Sequence, residues 1–335
     1  MKAIIFKGKG RLEIEEVATP KVEKEEVLVE VKATGICGTD RHIYNGEAPA
    51  KPPMIPGHEI AGLVVDLGEG VNNVKKGDRI AVDPNIFCNN CFYCKRGEIH
   101  LCENLEAVGV TRDGGFAEYV RIPATNVYRL PDSISYTAGA MVEPLSCCLH
   151  GIDIAGVQTG DLVVVLGGGA IGLILAQLAL LSGARKVIIS EPDSIKREKA
   201  KTLGLENVVV PDMIKEVVTN ISKYGADIVI EAVGRAETVA QSFELIRRGG
   251  TIVLFGVSPE DMELPISPFD IYQKELTVKG SYINPFVTDR AIDILAAGKI
   301  EVEGLVTKKY SLADLPDYFS KGNGSQDIKS LLVFE

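Results

Sequence analysis

The chain has 335 residues, 46% hydrophobic and 24% charged, the composition of an ordinary globular protein with length for about two domains. Its 36 basic and 46 acidic residues leave a net charge of −10, and with no basic run this argues against nucleic-acid phosphates or an anionic membrane as partners. The apolar run in residues 1–8 is too short for a signal peptide or a membrane span. Seven cysteines, four of them within 15 residues, point to metal ligation in a reducing cytosol rather than to disulfides.

Residues 2–33 alternate strands with charged turns, the clearest strand being 27–33. In Ile36-Cys37-Gly38-Thr39-Asp40, Thr39 or Asp40 is placed to cap a short helix, which puts Cys37 just before a helix N-terminus, where a thiolate is favoured. The Pro-rich run 51–56 leads into Gly57-His58-Glu59, and 60–65 reads as a strand. An imidazole and a carboxylate, both metal ligands and both proton-transfer groups, therefore share a loop–strand junction. Alone, such a pair is equally compatible with a structural role.

Cys88-x2-Cys91-x2-Cys94-x7-Cys102 is a stronger signal. Three thiolates on one loop and a fourth nearby can close a tetrahedron, which suits a structural zinc with no open position. An Fe–S cluster is the competing reading, and unligated loop cysteines the bland one. Residues 103–128 return to strand-like segments, with Gly114-Gly115 as a turn. Up to that point the chain is β-rich, without strand–helix alternation.

The pattern changes near residue 145. A helix-like run over 145–154 precedes Leu162–Leu166, an unbroken apolar strand of the kind found in parallel sheets. Gly167-Gly168-Gly169-Ala170-Ile171-Gly172 then opens an apolar helix to about Leu181, and a second strand, Lys186–Ser190, ends at Glu191. Helices over 194–203, 212–222 and 236–247 alternate with strands over 207–210, 227–232, 251–255 and 276–280. This predicts a doubly wound α/β domain with a six-stranded parallel sheet. Residues 281–335 are read as returning to complete the first domain. The expected division is thus 1–144 with 281–335, and 145–280. No solenoid repeat or low-complexity segment is seen.

Gly167-x-Gly169-x-x-Gly172 has the spacing of a pyrophosphate-binding turn at a helix N-terminus. Glu191 lies 19 residues beyond Gly172, placed to bind an adenosine ribose and repel a 2′-phosphate, which favours NAD over NADP. Lys196 and Arg197 stand close enough in sequence to neutralise such a phosphate, so NADP stays open. A glycine turn used only for packing is the bland alternative.

Together these residues carry a resemblance. Gly57-His58-Glu59-x2-Gly62-x5-Gly68-x2-Val71 resembles the signature of the zinc-containing alcohol dehydrogenases of the medium-chain dehydrogenase/reductase superfamily. The likeness spans the chain and includes the cysteine cluster and the glycine loop in the expected order. It implies a GroES-like β-rich catalytic domain split by a Rossmann domain, with the active site in the cleft between them. Cys37 and His58 match catalytic zinc ligands. Glu143, in Val142-Glu143-Pro144-Leu145-Ser146, takes the third ligand's place, as in the sorbitol branch and many threonine dehydrogenases. Glu59 would lie beside the zinc and enter its shell directly or through water. Asp40 would orient the histidine ligand. Thr39 and His42 match a proton relay, against the plain alternatives of helix capping and a surface histidine. Gly167, Gly169, Ala170, Ile171, Gly172, Glu191 and Lys196 match the cofactor site. Cys147 and Cys148 are read as small buried residues, and His100 and His150 as structural.

The resemblance implies two Zn2+ per chain and reversible hydride transfer between NAD and a secondary alcohol. The Glu-Pro-Leu-Ser wording resembles polyol dehydrogenases, whereas Cys37-Gly-Thr-Asp-x-His-Ile-Tyr and residues 108–119 resemble threonine dehydrogenases. The latter usually continue Glu-Pro-Leu with Gly-Asn, where this chain has Ser146-Cys147. A polyol or sugar-derived substrate is therefore expected, with threonine and general secondary alcohols as alternatives. A non-catalytic NAD- and zinc-binding protein and a zinc-free quinone-reductase relative are the readings of a different kind. A cytoplasmic homotetramer is the family-based expectation.

Overall fold

Two hydrophobic patterns, alternating near the N-terminus and unbroken near the middle, fold into two kinds of sheet. The computed structural model describes residues 1–321 and 327–334; residues 322–326 and 335, within the segment expected to complete the first domain, lie outside the described residues. The chain divides into one unit of Met1–Ser146, Pro285–Gly298 and Val302–Glu335, and another of Cys147–Asn284 with Lys299–Glu301.

The first unit begins with β1 (Lys2–Gly8), β2 (Arg11–Glu16), β3 (Glu26–Ile36), α1 (Gly38–Asn45), β4 (Glu59–Leu67) and β5 (Arg79–Val82). It continues through β6 (Asn85–Ile86), β7 (Glu106–Ala107), β8 (Tyr119–Pro123), β9 (Val127–Arg129) and α2 (Tyr136–Gly139), then α3 (Val142–Ala155), within which the unit boundary falls. The second unit follows with β10 (Leu162–Leu166), α4 (Ala170–Leu181), β11 (Lys186–Ser190), α5 (Ser194–Thr202), β12 (Val208–Val209) and α6 (Ile214–Ile221). It ends with β13 (Ala226–Glu231), α7 (Ala236–Leu245), β14 (Ile246–Leu254), α8 (Pro268–Lys274) and β15 (Thr277–Gly280). The chain then adds α9 (Thr288–Ala296), β16 (Val306–Tyr310), α10 (Leu315–Lys321) and β17 (Lys329–Val333).

In the first unit a sheet runs β16-β17-β3-β4-β5-β9, with β8 also pairing β3. The long strand β3 is its spine. It pairs antiparallel with β4, with β8 over its first half and with β17 over its second half. Val27, Val29 and Val31 alternate into a core shared with Ile60, Val64, Ile80 and Ile122, as a half-buried strand should. From Ala33 to Ile36 the alternation gives way to continuous burial, because there the strand runs into the site described below.

In the second unit β12-β11-β10-β13-β14-β15 form one six-stranded sheet, parallel throughout. All five residues of β10 are fully buried, which explains the absence of alternation. The strand order steps outward from β10 to β12 and then restarts on the other side at β13. The switch point lies between β10 and β13, where α/β sheets of this kind open a ligand crevice at their carboxyl ends. Two differences from the sequence reading stand out. β14 starts at Ile246 rather than near 251, because Ala226 still pairs Ile246 across a register shift, so Ile246 and Arg247, expected at the end of the preceding helix, belong to the strand together with Arg248-Gly249-Gly250. Helix α8 was not foreseen, although Ser267 caps it and Pro268 opens it, a legible start signal.

Candidate metal centres and dinucleotide site

The turn from β3 into α1 builds one side of the first site. Cys37 is the N-cap of α1, and the N3 residue Asp40 reaches back to accept its backbone N–H at 2.8 Å. This is a capping box in which cysteine takes the place usually held by serine or threonine. Asp40 also turns inward: its other oxygen lies 3.6 Å from His58 Nδ1, and neither atom has a hydrogen-bond partner although both are buried. Thr39 sits beside Cys37, with 3.7 Å between Oγ1 and Sγ. His42 points outward and its Nδ1 lies 2.7 Å from Glu47 Oε2. Helix α1 ends on Gly46 in the left-handed region and is pinned by Arg41, which donates to the Phe319 carbonyl at 2.5 Å.

The start of β4 supplies the other side. His58 and Glu59 are both buried, and ligand-capable atoms of Cys37, His58 and Glu59 lie within 4.8 Å of one another. Glu59 packs against β3 where Gly35 leaves room: a Cβ there would sit 1.6 Å from Glu59 Oε2. Any side chain at 35 would displace the carboxylate.

Lys329, at the start of β17, completes the cluster and was not foreseen. Its Nζ lies 2.6 Å and 2.5 Å from the two Glu59 oxygens, and both side chains are buried. Burial alone would lower the lysine pKa; the charges of Glu59, then Cys37 and Glu143, outweigh it and push it up to about 12. Burial likewise pulls His58 down, but Asp40 and then Cys37 hold it well above its ordinary value. The surroundings therefore favour positive charge at this point. Glu143, in the first turn of α3, is near enough to act on Lys329, but it does not join the group of three ligand atoms. Across 270 residues of sequence, only the β17–β3 register, Ser330 opposite Ile36, brings Lys329 here.

These residues fit a divalent cation. Soft and borderline donors from Cys37, His58 and Glu59 converge. A dication plus Lys329 would balance the charges of Cys37, Glu59 and Glu143.

The four loop cysteines form the second group. The sulfurs of Cys88, Cys91, Cys94 and Cys102 also lie within 4.8 Å of one another, the spread a tetrahedral tetrathiolate site requires. Backbone N–H groups aim at them: Cys88 donates to Cys102 at 3.4 Å, Cys94 to Cys91 at 3.5 Å and Asn104 to Cys102 at 3.4 Å. The Asn90 backbone N–H draws the Cys88 thiol down to about 6, and those of Cys94 and Glu103 lower Cys91. Burial, with Cys91 alongside, pushes Cys94 up to about 12. Four such sulfurs share one small space, and a cation is what would let all ionise. None of the seven cysteines is in a disulfide.

In the second unit, β10 runs straight into the glycine loop, and Gly169 is the N-cap of α4. At Gly172 a Cβ would lie 1.9 Å from the Gly167 carbonyl oxygen, so the helix can start this close to the strand only with glycine. Glu191, buried at the end of β11, accepts from Gly168 N at 2.8 Å and Asp193 N at 2.8 Å. Gly167, Gly169, Ala170, Ile171, Gly172 and Glu191 are thus brought together at the carboxyl end of the sheet. Arg197 donates instead to the carbonyls of Glu191 and Pro192, at 2.9 Å and 2.6 Å. Lys196 lies in the first turn of α5, where its backbone N–H is capped by Asp193. Cys148 is buried, as read from sequence, while Cys147 is half-buried.

Comparison with known proteins agrees with this architecture. Residues 23–132 match the alcohol dehydrogenase GroES-like domain and residues 170–296 the zinc-binding dehydrogenase domain. D-arabinitol dehydrogenase 1 of Uromyces fabae is 35% identical over 98% of this chain and 96% of its own. L-threonine 3-dehydrogenase of Pyrococcus abyssi is 36% identical over 89% and 88%. A zinc-binding dehydrogenase from Sinorhizobium meliloti 1021, solved bound to NADP, superposes with a TM-score of 0.96 at 43% identity over 99% of each chain. The chain belongs to the zinc-containing alcohol dehydrogenase family of medium-chain dehydrogenases, and is an oxidoreductase acting on the CH–OH group of small-molecule alcohols. Among the described residues, no helix is long and apolar enough to cross a membrane.

Proposed function

We propose that the protein oxidises a secondary alcohol of a polyol or sugar-derived substrate, reversibly, with NAD as hydride acceptor. The observation that carries this reading is the convergence of Cys37, His58 and Glu59 beside Thr39. Cys37, His58 and Glu143 would hold the catalytic zinc and leave one position open for the alcohol, with Glu59 entering its shell directly or through water and Lys329 offsetting the Glu59 charge. Cys88, Cys91, Cys94 and Cys102 would hold a second, structural zinc. When bound, the catalytic ion supplies a Lewis acid that acidifies the alcohol in one direction and polarises the carbonyl in the other. Asp40 orients His58. Thr39 accepts the substrate hydroxyl proton through its own hydroxyl, and His42 hands it on to water. Gly167, Gly169, Ala170, Ile171 and Gly172 receive the pyrophosphate at the N-terminus of α4, with Glu191 and Lys196 beside the adenosine ribose.

NAD preference is supported by Glu191, held rigidly beside the loop, and by Arg197, whose guanidinium is engaged with backbone. The NADP bound to the S. meliloti relative favours NADP as the second reading. The arabinitol dehydrogenase relative supports a polyol and the threonine dehydrogenase supports the alternative substrate. We further propose a cytoplasmic homotetramer. Cysteines outside any disulfide suit a reducing compartment. The edge strand β15, exposed at every residue, lies close in sequence to exposed Phe269 and Tyr272, and such an edge calls for a covering partner.

Reduced-cofactor formation from a panel of polyols, L-threonine and simple alcohols, run with NAD and with NADP, tests this reading. A polyol should give the highest kcat/KM, and NAD should exceed NADP by at least ~10-fold, a gap that Glu191→Ala narrows. Threonine as best substrate, or a strong native preference for NADP, would overturn the corresponding part.

A further inference from the structure

Glu47 stands just beyond the end of α1 and has no part in the chemistry above. The helix closes in a Schellman turn. Gly46, left-handed at φ 71°, donates its N–H to the Ile43 carbonyl at 2.9 Å, and Glu47 donates its own to the His42 carbonyl at 2.8 Å. The turn is also held from the β1–β2 side. Gly10 N donates to Tyr44 O at 2.7 Å, and a Cβ on Gly46 would lie 3.3 Å from Lys9 Cβ. The reversal that ends the helix therefore carries residue 47 back over residue 42.

The side chains repeat what the backbone does. His42 Nδ1 lies 2.7 Å from Glu47 Oε2, so residue 47 holds residue 42 at its carbonyl and at its ring. Among the described residues, this is the only hydrogen bond that either side chain makes. Both are about half exposed, where an ion pair adds little to stability. It can nevertheless set the state of the ring. A carboxylate only accepts, so the nitrogen facing it is the one that carries the hydrogen. In the neutral imidazole the lone pair then falls on the other nitrogen. Nε2, which meets no protein partner among the described residues, is left as the nitrogen that can take a proton.

We propose that Glu47 is a positioning residue for proton transfer: it fixes His42 as the Nδ1–H tautomer and aims the ring, so that Nε2 receives the proton and passes it to water. The inference rests on the relay from Thr39 to His42 proposed above. The protons balance at one atom. Nε2 gains the proton that left the substrate hydroxyl, the ring becomes imidazolium, and the same Nε2–H bond then breaks to solvent. The Nδ1–H stays on Glu47 throughout, so the ring has no need to turn between the two transfers.

Two measurements on the zinc-loaded full chain test it. Ring 15N shifts of histidine-labelled protein at alkaline pH, assigned against His42→Gln, should show His42 as the Nδ1–H tautomer in wild type and shifted towards Nε2–H in Glu47→Leu. In alcohol oxidation the single-turnover rate should fall about tenfold in His42→Gln and about threefold in Glu47→Leu, with KM values within about twofold. Glu47→Gln, whose amide oxygen can still accept from Nδ1, should recover most of that loss. Added to His42→Gln, Glu47→Leu should cost nothing further. An unchanged tautomer in Glu47→Leu, a rate loss that persists in the His42→Gln background, or an effect confined to KM would overturn the proposal. A His42→Gln variant that turns over like wild type would instead refute the relay beneath it.

Discussion

Cys37→Ser is expected to lower kcat/KM at least ~10³-fold and to remove about one of two zinc ions per chain. The sulfur stands at the N-cap of α1, within 4.8 Å of ligand-capable atoms of His58 and Glu59. A serine hydroxyl can still cap the helix, so the fold should survive the change that the metal does not. Loss of activity with both ions retained would assign Cys37 to substrate rather than to metal. Activity within about tenfold of wild type would remove the catalytic centre from this place altogether.

Lys329→Met should be the most destabilising single change at the site, by ~3–5 kcal/mol in denaturant unfolding of the zinc-loaded protein. Methionine fills much of the lysine's volume, so the loss isolates the charge. Glu59 would remain 1% exposed at its side chain with its buried cation gone. Lys329→Arg should recover much of the loss, limited by the tight fit of the larger fork. The pH dependence has a definite sign. The lysine pKa is raised from 10.5 to about 12, so its contribution is fully present below 10.5 and fades only as pH rises through about 12. The lysine's own titration therefore adds no pH dependence to the deficit between pH 6 and pH 9. A methionine variant as stable as wild type would show that Glu59 does not depend on this pair.

What could be read in the sequence follows from how local each signal is. The strands Leu162–Leu166 and Lys186–Ser190 are found at the bounds read from the chain, because a buried parallel strand is apolar at every position and stops abruptly at glycine or at a carboxylate. The cysteine cluster and the glycine loop are equally local: their spacing is their geometry. The first residues of β14 carry no strand signal of their own, with two arginines and two glycines over 247–250, and it is the pairing with β13 that pulls the chain into register from Ile246; tertiary pairing overrides propensity. Lys329 had no local signal. Ile328-Lys329-Ser330-Leu331 reads as an ordinary strand start with a solvent-facing lysine, and only the antiparallel pairing with β3 turns it inward to Glu59. Glu47 is an intermediate case. Gly46 is a legible stop for α1, yet only the turn made there brings the next side chain back to His42. Asp40 shows a residue with both kinds of meaning: its capping role is local, and its approach to His58 depends on β4 lying next to β3.

The most direct test of the account is alcohol-dependent NADH formation measured as zinc is withdrawn with a chelator and then restored, with zinc content followed alongside. Turnover should fall in step with the loss of about one ion per chain and return when that ion is replaced. Alcohol oxidation that continues unchanged after zinc has been removed would contradict the assignment of Cys37, His58 and their carboxylate neighbours as the catalytic centre.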